Sequence, residues 1–225
     1  MAKKVGVLLA GCGYLDGAEI QEAILTLLVL DRAGAEIIAI APDKPQAHVV
    51  DHITGKEMKG ETRNTMVEAS RIVRGQIHHV NPALADTLDA LIMPGGFGVA
   101  KQIATYAFDG TDCTVDKNVA DLLLRMVAKK KPIGAICISP VVVAKVLEKS
   151  GKNVTLTLGI DPSATKDIEA MHARHVSCSA TDYVVDRTHK IVSTPAWMLK
   201  TRISEIEKGI EKLVGEVLAM ANELP

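Results

Sequence analysis

The chain has 225 residues, of which 48% are hydrophobic and 24% are charged, and its formal net charge is −1 at pH 7. This length suffices for one large α/β domain with a full hydrophobic core, so we predict a single domain over residues 1–225. A net charge so close to zero excludes the basic footprint of a nucleic-acid-binding protein. No apolar stretch approaches the roughly 20 residues of a membrane span, so we expect neither nucleic acid nor a membrane as a partner.

The cysteines indicate the class of site to look for. They stand at positions 12, 113, 137 and 178, with no Cys-x-x-Cys pair and no close cluster with histidine. This spacing disfavours a zinc site and a disulfide framework, and we predict no metal. Free cysteines are typical of a reducing compartment, so we predict a cytoplasmic location.

The predicted elements alternate short apolar strands with longer amphipathic helices. In chain order they are a strand at Val5–Leu9, a helix at Glu19–Arg32, a strand at Glu36–Ala41, a helix at Asn64–Val73, a strand at Ala90–Met93, a helix at Val119–Lys129, a strand at Ile133–Ile136, a helix at Val141–Leu147, a strand at Val154–Leu158, a hairpin of Tyr183–Asp186 and Ile191–Thr194, and a helix at Ile203–Met220. This order predicts an α/β three-layer sandwich, with a mostly parallel sheet and helices on both faces. The polar residues 41–61 read as an insertion in this domain.

Ligands of such sheets bind outside the carboxyl ends of the strands. Three predicted strands lead into chemically distinctive residues at that edge. They are Gly11-Cys12-Gly13, Pro94-Gly95-Gly96 and Cys137. We therefore expect the functional site where these three segments meet.

Cys137 is the candidate nucleophile. It lies in the string Ala135-Ile136-Cys137-Ile138-Ser139-Pro140, with a small residue two positions before it and another two positions after it. Such spacing suits the sharp strand-to-helix turn of a nucleophile elbow. The start of the following helix would lower the pKa of the thiol. The alternative is a small buried side chain, a common role of free cysteine, and the string alone does not decide between them.

Two further features suggest partners for this cysteine. Gly95 and Gly96 directly follow a strand, so their N–H groups could join that of Ile138 in an oxyanion hole; an ordinary turn is the alternative. Glu22 lies among apolar residues of the first helix, where a carboxyl group should have a raised pKa and could share a proton with a thiol. Glu19, one turn earlier, could take that role instead, and either could simply be solvated.

The glycines of residues 11–17 permit a different function. They lie between a strand and a helix, as in a dinucleotide-binding fingerprint. However, their spacing is G-x-G-x-x-x-G, one residue too long, and acidic residues follow at Glu19 and Glu22. Nucleotide binding is therefore a minor alternative.

Together, the helix glutamate, the Pro-Gly-Gly turn and the strand-turn cysteine resemble the PfpI/DJ-1 family. Its members have a flavodoxin-like sheet similar to that of class I glutamine amidotransferases. They carry a helix glutamate shortly before an Arg-Ala-Gly-like stop, as Glu22 stands before Arg32–Gly34. The resemblance therefore selects Glu22 over Glu19.

Several strings resemble one branch of that family, the enhancing lycopene biosynthesis proteins with glyoxalase activity. They are Gly11–Gly13, Asp16–Ile20, Glu61–Asn64, Pro94–Gly98, Asp112–Asp116 and Thr194–Ala196. This resemblance implies conversion of glyoxal to glycolate without a cofactor, an activity that would reflect protein deglycation, and a link to isoprenoid biosynthesis. It implies a small aldehyde as substrate, Cys137 as nucleophile, Glu22 as proton carrier, the Gly96 and Ile138 amides as oxyanion donors, and a homodimer.

One departure from the family pattern concerns histidine. Related proteases place a histidine directly after the nucleophile, where this chain has Ile138, and residues 157–161 also lack the histidine of the DJ-1 branch. A full Cys-His-acid triad is therefore not supported, and a Cys137–Glu22 pair is expected. The alternative is a non-enzymatic redox-sensing or regulatory protein that uses the same cysteine.

Overall fold

The computed structural model describes residues 2–223, apart from the side chains of 162–164. Within these residues the strands are β1 (Lys4–Leu8), β2 (Glu36–Ala41), β3 (His78–His79), β4 (Ala90–Met93), β5 (Ile133–Ile136), β6 (Thr155–Leu156), β7 (Arg174–His175), β8 (Val184–Asp186) and β9 (Ile191–Thr194). The α-helices are α1 (Ile20–Arg32), α2 (Thr65–Ser70), α3 (Leu84–Thr87), α4 (Tyr106–Asp109), α5 (Lys117–Ala128), α6 (Pro140–Glu148), α7 (Pro162–Ala170) and α8 (Ile203–Asn222). A π-helical turn occupies Val99–Ile103.

Seven strands form one sheet in the order β3-β2-β1-β4-β5-β9-β8. All neighbouring pairs are parallel except β8 and β9, which form the predicted antiparallel hairpin. The strand order reverses between β1 and β4, and such a switch point opens a crevice at the carboxyl edge of the sheet. This topology confirms the predicted flavodoxin-like, mostly parallel α/β fold.

The sheet is covered on both faces, as the apolar strands require. One core cluster packs α5 and α6 against the sheet through side chains such as Leu122 and Val142. The other packs α1 and α8 against the opposite face through side chains such as Leu30 and Leu213. These two layers hold the strands on which the site depends.

Local signals explain where α1 begins and ends. The Glu19 side chain accepts a hydrogen bond from the Glu22 N–H at 2.6 Å, which caps the first turn. Gly34 follows the helix with φ of +70°, a conformation that glycine adopts without steric cost. The helix therefore starts one residue later than predicted, because Glu19 serves as its cap.

Two predicted elements are shorter than expected. The helix predicted at Asn64–Val73 covers only Thr65–Ser70, with Asn64 as the cap. The strand predicted at Val154–Leu158 is reduced to β6, which pairs with β7 in a separate two-stranded sheet. Side chains bind the backbone beyond it, since the Thr157 N–H donates to Ser193 Oγ and the Leu158 N–H donates to His175 Nε2.

The polar segment 41–61 leads from β2 towards α2, and its interpretation as an insertion in a single domain stays a prediction. It folds over the carboxyl edge of the sheet, where the Val50 N–H donates to the buried Asp16 carboxylate at 2.7 Å. Gln46 also donates to the backbone oxygen of Asp16. Among the described helices, none combines the length and apolar character needed to cross a membrane.

Candidate active site

Cys137 lies on a sharp turn between β5 and α6. Its φ is +62°, in the left-handed region that non-glycine residues rarely occupy. Its N–H donates to the Thr194 oxygen of β9 at 2.9 Å, and the Ser139 hydroxyl donates to the Pro94 oxygen at 2.9 Å. Contacts to both neighbouring strand ends thus hold the strained backbone, which is the geometry of a nucleophile elbow.

The glycine turn after β4 lets the Glu22 carboxyl group and the Cys137 thiol approach each other. A Cβ atom at Gly95 would lie 2.9 Å from Glu22 Oε2 and 3.0 Å from Cys137 Sγ, so any larger residue would separate them. Gly96 has φ of +100°, and a Cβ there would collide with the backbone of Gly17 and Glu19. Both glycines are therefore required by space, and Gly96 also by conformation.

Glu22 is completely buried beside the cysteine. Its Oε2 accepts from the Gly95 N–H at 2.8 Å, its Oε1 accepts from the Trp197 N–H at 3.2 Å, and its carboxyl group hydrogen-bonds with the Cys137 thiol. Burial, reinforced by the charge of Glu19, raises the pKa of Glu22 to about 8. The raised pKa predicted for this residue is confirmed.

The pKa of Cys137 is also raised, well above its usual value. Burial is the main cause, and the neighbouring Glu22 adds to it, while the N–H groups of Gly96 and Ile138 act in the opposite direction. The prediction that the start of α6 would give a low pKa is therefore wrong, because desolvation and a like charge outweigh the amide dipoles. The two acids form one coupled unit that holds its protons through neutral pH.

The three predicted oxyanion donors divide into two roles. The N–H groups of Gly96 and Ile138 hydrogen-bond to the Cys137 sulfur. They are therefore placed to donate to the oxyanion that forms when this sulfur adds to a carbonyl carbon. The N–H of Gly95 instead donates to Glu22. Gly95 thus orients the carboxyl group and leaves two amides beside the sulfur.

A cavity of about 220 Å³ opens beside the cysteine. Its walls come from the segments that follow four strands and from α4. They consist of Tyr14, Glu19, Gly96, Phe97, Ala100, Tyr106, Ala107, Cys137, Ile138, Trp197 and Met198. The cavity lies at the carboxyl edge of the sheet, where the site is predicted, and beside the switch point between β1 and β4.

The sequence did not reveal the contribution of the segment after β9. Ala196 is buried with φ of +42°, and this strained turn directs the Trp197 N–H at Glu22. Thr194–Ala196 stands out as a family-like string, but nothing in an alanine indicates a left-handed conformation. The role of this backbone amide is visible only in the fold.

Cys12 and Arg63, which belong to two of the family-like strings, lie outside the cavity. Cys12 is half-buried near Glu68 and Arg71, and Arg63 pairs with Glu61 at 3.3 Å and Glu68 at 3.8 Å. Neither Cys12 nor Arg63 lines the cavity.

The hydrogen bonds and close packing of the loop of residues 11–17 disfavour the nucleotide-binding alternative. The Gly17 N–H donates to the Gly13 oxygen at 2.5 Å, and a Cβ at Gly17 would collide with the backbone of Cys12. The first amides of α1 are also occupied, since the Glu19 N–H donates to the Gly95 oxygen and Glu22 N–H to Glu19. A phosphate would have to compete with these bonds for the N–H groups of Gly17, Glu19 and Glu22. Across residues 2–223, no group of three His, Cys, Asp or Glu side chains could hold a metal ion.

The profile of the DJ-1/PfpI family matches residues 3–196. The chain belongs to this family. Its curated relatives include the ES1 protein homolog, mitochondrial, of Rattus norvegicus, 40% identical over 98% of this chain and 85% of that protein. A second is the glutamine amidotransferase-like class 1 domain-containing protein 3, mitochondrial, of Homo sapiens, 40% identical over 99% of this chain and 85% of that protein.

A solved structure with the same fold supports the family assignment. It is an isoprenoid biosynthesis protein with an amidotransferase-like domain from Ehrlichia chaffeensis, 35% identical, with a TM-score of 0.88. The superposition covers 96% of this chain and 99% of that one. The finer assignment to the enhancing lycopene biosynthesis branch stays a prediction.

The prediction of a cytoplasmic location is contradicted by the relatives. The names of the rat and human relatives both describe these proteins as mitochondrial. Free cysteines indicate only a reducing environment, which more than one compartment provides, so the inference from cysteine usage went further than its physical basis.

Proposed function

We propose that this DJ-1/PfpI family protein is a cofactor-free glyoxalase that converts an α-oxoaldehyde, such as glyoxal, to the α-hydroxy acid. One observation carries the proposal: the Cys137 thiol and the buried Glu22 carboxyl group are hydrogen-bonded to each other at the wall of a cavity. A thiol can add to an aldehyde, and a carboxyl group with a pKa near neutrality can both accept and return a proton.

The first step is the addition of sulfur to the aldehyde. The active form of the Cys137–Glu22 pair carries one shared proton. The thiolate attacks the aldehyde carbon and forms the C–S bond of a hemithioacetal, while the proton on Glu22 passes to the new oxyanion. The N–H groups of Gly96 and Ile138, which adjoin the sulfur, stabilise that oxygen as its charge develops.

The second step moves hydrogen between the two carbons. The Glu22 carboxylate removes the proton from the hemithioacetal carbon, and the electron pair moves to the adjacent carbonyl to give an enediolate. Glu22 returns this proton to the adjacent carbon, and the hydroxyl proton passes to the neighbouring oxygen. The product is a thioester, which one water molecule hydrolyses to the α-hydroxy acid and the free thiol. One carbon is oxidised and its neighbour reduced, so the reaction needs no external oxidant.

The protonation of the pair argues for this chemistry over acyl transfer or redox sensing. Hydrolases of peptide or amide bonds use a histidine to protonate the leaving amine, and no histidine lines the described cavity. A redox sensor needs an accessible thiolate, whereas Cys137 is 7% exposed and its pKa is raised. Addition to a small aldehyde needs the thiolate only at the cavity wall, where Glu22 holds the proton that the thiol gives up.

The proposal has two further parts, which follow from the resemblance to the enhancing lycopene biosynthesis branch. The first is that the protein is a homodimer, and the second is that its activity is connected with isoprenoid biosynthesis. The name of the 35% identical Ehrlichia protein supports the second point. Light scattering of the purified chain tests the first point, and a monomer at micromolar concentration would remove it.

Turnover of glyoxal tests the function. The purified chain, treated with a chelator, should consume glyoxal and release glycolate in equal amounts, measured by proton NMR. The Cys137→Ala variant should lose this turnover, because no other described cysteine lines the cavity, while Cys12→Ala should keep it. Glycolate formation by the Cys137→Ala variant would refute the mechanism.

A further inference from the structure

The shape and chemistry of the cavity narrow the class of substrate. Resting on the proposed function, we propose that the preferred substrate is an uncharged α-oxoaldehyde with an apolar substituent about the size of a phenyl ring. Glyoxal itself would then be a small surrogate. The observations concern the volume of the cavity, the character of its walls and the sign of its charge.

The volume exceeds what glyoxal needs. The cavity measures about 220 Å³, whereas an apolar protein cavity of about 150 Å³ is large enough to hold benzene. Glyoxal has only four heavy atoms and would leave most of this space unfilled, forfeiting the contacts with the walls. A dicarbonyl group with an aryl or branched alkyl substituent would fill it.

Most of the side chains that line the cavity are apolar or aromatic. They include Ala100, Ala107 and Met198, while Phe97 and Tyr14 stand half-exposed at 50% and 48%. Exposed aromatic rings beside an apolar cavity offer surface that a bound apolar group would bury.

The Tyr106 hydroxyl adds little polarity, because it is bound by Asp167. The sulfur is already flanked by Glu22 and the amides of Gly96 and Ile138. A substrate whose aldehyde carbon reaches Cys137 must therefore place its substituent against the apolar walls.

The charges disfavour an anionic substrate. Among the described residues that line the cavity, Glu19 is acidic and none is a lysine, arginine or histidine; Glu22 lies beside the lining residue Cys137. Lys101 lies beside another lining residue, since its Nζ is 5.5 Å from the centroid of the Phe97 ring, and this Nζ donates to the Leu15 oxygen. A carboxylate or phosphate on the substrate would meet like charge without a partner to compensate its lost hydration.

The chemistry for such a substrate is unchanged. With phenylglyoxal, the aldehyde carbon that bonds to sulfur is oxidised to the carboxyl level, the ketone carbon is reduced to the carbinol, and one water molecule is consumed. The product is mandelate. The two substrates therefore pass through the same steps, and differences in their rates report on the fit of the substituent.

The test compares three substrates on the full chain: glyoxal, phenylglyoxal and 4-carboxyphenylglyoxal. We expect kcat/KM for phenylglyoxal to exceed that for glyoxal by on the order of tenfold or more, and the added carboxylate to remove at least that gain. Glyoxal preferred over phenylglyoxal, or equal turnover of the two aryl substrates, would overturn the substrate class. Absence of turnover with all three would instead refute the proposed function.

A matched pair of variants separates fit from intrinsic reactivity. Ala107 lines the cavity yet is exposed, so Ala107→Phe can project into the cavity without disturbing the core. The ratio of kcat/KM for phenylglyoxal to that for glyoxal should fall by on the order of tenfold in this variant. Ala33→Phe, at the exposed far end of α1, is the control and should keep the wild-type ratio. An unchanged ratio in a folded Ala107→Phe protein would contradict the proposed fit, and circular dichroism verifies the fold.

Discussion

Two cysteines follow parallel strands at the same edge of the sheet, yet their surroundings differ. Cys137 follows β5 with a left-handed backbone, amide donors from Gly96 and Ile138, and a buried carboxyl partner. Cys12 follows β1 and is half-buried among charges of both signs, including Glu68 and Arg71. Burial raises the pKa of both thiols.

This comparison shows that position at a strand end does not by itself make a nucleophile. At Cys137 the strained turn aims two backbone amides at the sulfur, and the absence of a side chain at Gly95 lets Glu22 reach it. At Cys12 the neighbouring groups are charged side chains of both signs, the buried Glu68 and the 66% exposed Arg71 among them. Preorganised donors that cost no reorganisation during reaction distinguish the first cysteine from the second.

The largest expected effect comes from replacing the acidic side chain beside Cys137, compared with the same replacement beside Cys12. Glu22→Gln should lower kcat/KM for glyoxal by about 10²–10⁴-fold, because the amide keeps the size of the side chain but cannot carry the proton. Glu68→Gln, at the partner of Cys12, is the matched control and should leave kcat/KM near the wild-type value. A Glu22→Gln enzyme with full activity would break the contrast between the two cysteines.

The raised pKa of Glu22 should also be visible in the pH dependence of the protein's stability. Its pKa is raised from 4.5 to about 8 on folding, so the unfolded chain loses this proton first. The associated stability is complete below about pH 4.5 and is lost as the pH rises towards 8. Between about pH 5 and 7, the unfolding free energy of the wild type should fall by roughly 3 kcal/mol more than that of Glu22→Gln. Urea denaturation measures both slopes, and parallel slopes would contradict the raised pKa.

Alkylation rates sharpen the contrast at the level of the thiols. Glu22 raises the pKa of Cys137 through its charge and its hydrogen bond, so Glu22→Gln should shift the pH midpoint of iodoacetamide labelling at Cys137 downward. The midpoint at Cys12 should stay in place, since Glu22 is not among the groups that act on it. Mass spectrometry of the labelled peptides resolves the two sites. A midpoint that moves equally at both cysteines would indicate a global effect.

The smallest effect concerns backbone strain. Cys137 has φ of +62°, where glycine is free of the steric cost borne by other residues. Cys137→Gly should therefore be more stable than Cys137→Ala by about 1 kcal/mol. Cys12 is not among the described residues with positive φ, so there Cys12→Ala should be the more stable variant. Thermal or urea unfolding of the four proteins tests this reversal, and the same order at both positions would refute it.

The fold could be predicted from the sequence because its signals are local or periodic. The continuously apolar strands and the amphipathic helix at Ile203–Asn222 indicate a sheet with helices on both faces without any knowledge of long-range contacts. The short strand β3 was not predicted and β6 was predicted too long, since pairing with neighbouring strands decides whether two residues become a strand. The length of the strand predicted at Val154–Leu158 depended on Ser193 and His175, which are distant in the chain.

For the site, the sequence determined the candidate residues and the edge of the sheet at which they would meet. Small residues around Cys137, glycines after β4 and a carboxyl group in an apolar helix are all readable in one dimension. Only the tertiary structure decided their roles: Gly95 binds Glu22, the Trp197 amide joins it, and the thiol has a raised pKa instead of a lowered one. The reason is physical, because desolvation and the direction of each N–H depend on how distant segments pack together in space.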